Sequence, residues 1–130
     1  MKSERMEMLE GLLKSGISPI LLENFPASIF TDAVILESDC SKEDLSGHYE
    51  EINYCPPEWY KKLVNLDEKI LVISNINKIP ESDQKKFGEI LKYKKVSTFE
   101  LPKNTIILVT ANNLEENKIN EEIYSLMAHI

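Results

Sequence analysis

The chain has 130 residues, 42% hydrophobic and 28% charged, with 22 acidic against 15 basic side chains and a formal net charge of −7. This composition fits one globular domain, long enough to bury about two thirds of its unfolded surface without a disulfide or a metal. It argues against phosphate-backbone binding, which takes clustered Lys and Arg, so no nucleic-acid partner is expected; no apolar run approaches the roughly 20 residues of a membrane span, and a cytoplasmic protein with no membrane partner is expected.

Met6, Leu9 and Leu13 recur at i, i+3 and i+7, and Gly16 follows. The spacing predicts an amphipathic helix over 1–16 with a glycine stop, leaving 18–130 as the sheet core of a single domain. Pro19-Ile20-Leu21-Leu22, Ala33-Val34-Ile35-Leu36, Lys69-Ile70-Leu71-Val72-Ile73 and Thr105-Ile106-Ile107-Leu108-Val109-Thr110 are apolar runs too short for helices. Continuous runs, unlike alternating ones, mark strands buried on both faces, so the expected class is α/β with a parallel sheet covered by helices. Helices are predicted around Trp59, Leu63 and Leu66, around Phe87, Ile90 and Leu91 after Pro80, and around Ile119, Ile123 and Leu126. Residues 93–102 predict a strand or hairpin excursion before the fourth run.

Several polar groups invite a chemical reading. Cys40 and Cys55 form no CxxC pair and read as ordinary thiols; with His48 they put three potential ligands within 16 residues, but the spacing matches no zinc pattern, and no metal is expected. The paired acids Glu50-Glu51, Glu115-Glu116 and Glu121-Glu122 read as surface charges, because neighbours on a strand or helix point in different directions. Lys85, Lys86, Lys92, Lys94 and Lys95 read as a solvated face. Tyr49, Tyr54 and Trp59 flank Cys55-Pro56-Pro57, a candidate recognition loop where proline prevents regular pairing.

The third run continues Ser74-Asn75-Ile76-Asn77-Lys78-Ile79-Pro80 into a helix, and the fourth ends Thr110-Ala111-Asn112-Asn113. This resembles the second half of an AAA+ ATPase core of the MoxR-like and dynein-related branch, where a strand ends in Asp-Glu, continues Ile-Asn-Lys/Arg-Ala-Pro, and is followed by a strand ending in Thr-Ala-Asn-Pro. Glu43-Asp44-Leu45-Ser46-Gly47 resembles the Asp-Leu-x-Gly element of the same branch, so the likeness covers most of 18–130. It implies a three-layer P-loop-NTPase-like sheet, the AAA+ large subdomain, of about four to five parallel strands flanked by helices.

The positions that would carry catalysis depart from the family. A working P-loop reads GxxxxGK[ST], its glycines letting backbone N–H groups approach phosphate and its lysine reaching the outer phosphates. The matching segment is Asn24-Phe25-Pro26-Ala27-Ser28-Ile29-Phe30-Thr31: Asn24 and Ile29 take the glycine positions, Phe30 the lysine position, and only Thr31 is kept. A β-branched residue resists positive φ and Phe30 supplies no charge, so the pocket is expected to reject a triphosphate. Phe25, Ile29 and Phe30 are expected either to be buried over the vacated site or to form an apolar patch. Only about ten residues separate Phe30 from Cys40, so the helix that follows a P-loop is expected to be short or absent, with its phosphate-holding N-terminus.

Ser74 and Asn75 replace the Walker B acids that support Mg²⁺ and activate water, and Glu81 and Asp83 lie beyond Pro80. Asn112 matches the sensor-1 position and is expected to make structural hydrogen bonds; His129 falls at the arginine-finger position. The sequence then stops, so a chain without the helical lid domain is expected. Arg5 is remote from every motif. The resemblance, with these losses, implies a catalytically inactive pseudo-ATPase, not an enzyme and without a cofactor, acting as a protein-binding or assembly module whose partner is itself or an AAA+ subunit. Two alternatives stay open: an ATPase or nucleotide sensor that holds ATP and Mg²⁺ with groups from another subunit, and a structural α/β domain with an unrelated role.

Overall fold

The computed structural model describes residues 4–16, 18–25, 30, 32–97 and 99–129. Helix α1 (Glu4–Lys14) carries Glu4 and Glu7 in its first turn and Lys14 in its last, the charge order a helix dipole favours. It ends at Gly16, whose φ of 70° is the left-handed conformation that stops helices. Leu9 is fully buried, whereas the side chains of Met6 and Leu13, predicted to share its stripe, lie outside the described residues.

Five strands form one parallel sheet: β1 (Ile20–Glu23), β2 (Val34–Glu37), β5 (Ile70–Ser74), β8 (Ile106–Ala111) and β9 (Ala128–His129), in the order β2-β5-β8-β1-β9. Leu71, Val72, Ile73, Ile107, Leu108 and Val109 show no exposed surface, as strands covered on both faces require. β2 departs from the expectation drawn from its apolar run. It lies at the sheet edge, and only Val34 and Leu36 are buried, while Ile35 and Glu37 face solvent.

Crossover handedness accounts for that bare surface. Right-handed connections that move one way along a sheet share a face, and those that move the other way take the opposite face. The connections β2 to β5, β5 to β8 and β8 to β9 all move towards the β9 edge. Their helical segments accordingly share one cluster, in which Trp59, Leu63, Phe87, Ile90, Leu91 and Ile123 pack on Leu21, Leu36, Leu71, Ile73, Ile107 and Val109. Only β1 to β2 moves the other way, and residues 24, 25, 30, 32 and 33 of that connection are not helical. The second face is therefore covered by Leu9 of α1, Phe25 and the partly buried Phe30 and Ala33, packed on Ile20, Leu22, Val72 and Leu108.

Between β2 and β5 lie α2 (Lys42–Ser46), a hairpin of β3 (His48–Glu50) and β4 (Asn53–Cys55), and α3 (Glu58–Val64). Ser41 Oγ caps α2 by accepting from Asp44 N at 3.0 Å, and the Trp59 indole donates to Leu45 O at 2.8 Å. The single helix expected after Pro80 is α4 (Glu81–Gln84), a 3-10 turn (Lys85–Phe87) and α5 (Gly88–Tyr93). Two groups fit that division: the Gln84 amide donates to Ile79 O and Lys118 O, outside the helix, and Gly88 weakens a helix interior. The predicted excursion is a second hairpin, β6 (Lys95–Val96) with β7 (Phe99–Glu100). α6 (Glu121–Ser125) starts at Asn120, whose side chain accepts from Glu122 N and Ile123 N.

Candidate functional site

Because β1, β5 and β8 are parallel, their carboxyl ends share one edge, the place where ligands of open α/β sheets bind. Three asparagines turn the chain there with positive φ: Asn24 (60°) after β1, Asn75 (52°) after β5 and Asn113 (55°) beyond β8. Asparagine enters this region at less cost than β-branched residues, so glycine is not needed.

The groups exposed by these turns bond to one another. Asn112 Nδ2 donates to Asn75 Oδ1 at 2.7 Å, Asn75 N to Thr110 Oγ1 at 2.9 Å, and Ser38 Oγ to Asn75 O at 2.7 Å. Buried Asn77 donates to Asn112 O at 2.6 Å and Asn117 O at 2.8 Å, while its Oδ1 accepts from Asn112 N at 3.3 Å. Asn24 N donates to Ala111 O at 2.7 Å, and Ser38 N to Ser74 O at 3.2 Å. Every member is an amide, a hydroxyl or a backbone group, and none can act as a general base near neutral pH. Among the described residues no buried side-chain nitrogen or oxygen lacks a partner.

Charged groups stand around this network. Asp39 pairs with Lys78 at 3.1 Å, half-buried Glu23 ends β1, and Glu81 and Asp83 are exposed on α4. Phe25 is buried and Phe30 partly buried in the cluster beneath β1; of the other expected phosphate-loop positions, Pro26, Ala27, Ser28, Ile29 and Thr31 lie outside the described residues. His129 pairs in β9 with Leu21, its ring 4.0 Å from that of Tyr124 and its Nε2 3.1 Å from Tyr124 O, which ties it to its own sheet edge. Two clefts of about 530 and 550 Å³, which share Lys14, Lys103, Asn104 and Ile106, lie at the opposite, amino end of β8.

One reading of the sequence is corrected. Cys40 lies outside the group that forms on the first hairpin, His48, Glu50 and Cys55, in which Glu50 is an exposed surface carboxylate as expected. Lys86 is not only a solvated lysine, since it donates to Cys40 O at 2.6 Å and lies 5.2 Å from the Phe87 ring centroid. Burial pushes the Cys40 thiol up, Asp44 and Asp39 act in the same direction, and Lys86 opposes them. Ser38 and Gln84 were not singled out from sequence; the available signal for Ser38 was a hydroxyl just past an apolar run. No family model matches the chain, and a search of the curated proteins finds no match.

Proposed function

We propose that the chain is a catalytically inactive AAA+-like domain, a pseudo-ATPase, that works as a protein-binding or assembly module with a second copy or an AAA+ subunit as partner. One observation carries the reading: at the edge where a nucleotide would sit, amides and hydroxyls are bonded to each other, and Phe25, next to Asn24, is buried against the sheet face of Ile20 and Leu22. A triphosphate needs cations or free backbone N–H groups at a helix start. Here Asn24 N is engaged by Ala111 O and Asn75 N by Thr110.

Five parallel strands with β1 between β8 and β9 are compatible with a P-loop-NTPase-like sheet. A protein-facing role is supported by the run of ring contacts from buried Trp59 through Tyr60, Phe99 and Tyr54 to Tyr49, which is 65% exposed, and by Ile52, 91% exposed at the hairpin turn. Calorimetric titration with ATP and ADP plus Mg²⁺, up to millimolar nucleotide, tests the reading. It predicts no saturable heat; saturable binding would overturn it and favour a nucleotide sensor. Light scattering over a concentration series then separates self-assembly, seen as mass rising with concentration, from a module that waits for another subunit.

A further inference from the structure

Pairing decides what each face of the β3–β4 hairpin carries. Alternate residues of a strand, and the residues directly opposite them, share a face. His48 is opposite Cys55 and Glu50 opposite Asn53, so these four lie on one face, and Tyr49 with Tyr54 on the other. The tyrosine face is engaged, with Tyr54 stacked on Phe99 at 5.3 Å. On the other face an imidazole, a carboxylate and a thiol hold their ligating atoms within 4.8 Å of one another.

We propose that this face binds one divalent transition metal of the zinc class through His48 Nε2, the Glu50 carboxylate and the Cys55 thiolate. Zinc bond lengths at a tetrahedral angle put a histidine nitrogen and a carboxylate oxygen about 3.3 Å apart, and a histidine nitrogen and a sulfur about 3.6 Å apart. His48 Nε2 and Glu50 Oε1 are 3.4 Å apart. The sulfur needs a shift of at most about an ångström, within reach of rotation about one side-chain bond at a surface. A set containing thiolate and imidazole selects zinc-like ions over Mg²⁺ or Ca²⁺. The second imidazole nitrogen, Nδ1, lies 3.9 Å from Glu43 Oε1, beyond hydrogen-bond distance, and both side chains are exposed, so a rotation of Glu43 would let its carboxylate orient the ligating histidine and raise its basicity. Three protein ligands leave a fourth position towards solvent, the arrangement of an open site. On binding, the thiol proton leaves to solvent and the ion bridges two strands that make only a marginal hairpin by themselves.

The test is titration of the full chain with Co²⁺ under a non-thiol reductant, followed by the visible ligand-field bands and the near-ultraviolet thiolate-to-cobalt band, with displacement by Zn²⁺. One Co²⁺ per chain is expected. The thiolate band should vanish in Cys55→Ser and persist in Cys40→Ser; His48→Ala should weaken binding at least tenfold, and Glu43→Gln by about tenfold or more. His48 and Glu43 are exposed, so both variants are expected to keep the far-ultraviolet circular dichroism of the parent even if Cys55→Ser does not. Absence of a thiolate band at equimolar Co²⁺, its survival in Cys55→Ser, or indifference to His48→Ala in a folded variant would overturn the proposal. In those outcomes the cluster is a His–Glu hydrogen bond beside an unrelated thiol.

Discussion

Asn77 shows how a single amide can hold the carboxyl edge. Its three hydrogen bonds tie the turn after β5 to the backbone of Asn112 and Asn117, and they are made in a buried setting where an unmet partner is costly. Asn77→Ala is predicted to lower stability by about 2 kcal/mol, read from urea denaturation, whereas substitution of exposed Asn113 by glycine, which accepts the same positive φ, should change little. Cys40 gives a pH-dependent prediction. Because burial raises its pKa, less thiolate is present at a given pH; in Cys55→Ser, iodoacetamide should modify Cys40 more slowly than free cysteine, with the rate profile displaced to higher pH. Equal rates in the folded protein would contradict the burial argument, and denaturant should abolish the difference. The identities of Ser74, Asn75 and Asn112 could be read from the sequence, but their mutual bonding could not: it depends on three strand ends meeting and on the left-handed turn at Asn75.

Among the elements, β5 and β8 were legible because a strand covered on both faces has no reason to alternate. β2 has the same kind of run, and its exposed Ile35 follows from edge position and crossover direction, neither of which is local in sequence. The β3–β4 hairpin was not legible. Its residues are mostly exposed, so no apolar pattern announces it, and its start depends on Gly47, where an added Cβ would lie 2.4 Å from Cys55 O. The ring contacts of Phe99 with Tyr54 and Tyr60, together with the bond from Tyr60 Oη to Glu100 O, fasten the second hairpin to the first and to α3. Phe99→Ala is predicted to cost about 1 kcal/mol and to sharpen neither hairpin, measured by denaturation and by loss of Tyr54 ring shifts. Helix α1 has the larger role, because few described residues cover the second face. Leu9→Ala should cost about 3 kcal/mol, and a value near zero would mean that α1 does not cover that face.

For the molecule as a whole, the order β2-β5-β8-β1-β9 brings the carboxyl ends of β1, β5 and β8 together, and the groups bonded to one another there are neutral. Adding one carboxylate should therefore not create activity. Asn75→Glu is predicted to release no phosphate from MgATP above the buffer control, since the amides of Asn24 and Asn75 are engaged and Lys78 is paired with Asp39; measurable turnover would contradict this. The most direct measurement is a residue-resolved one, amide NMR spectra of ¹⁵N-labelled protein titrated with MgATP. The closed edge predicts no saturable displacement of the Asn24, Asn75 and Asn112 signals up to millimolar nucleotide. Saturable shifts centred on those three residues would contradict it.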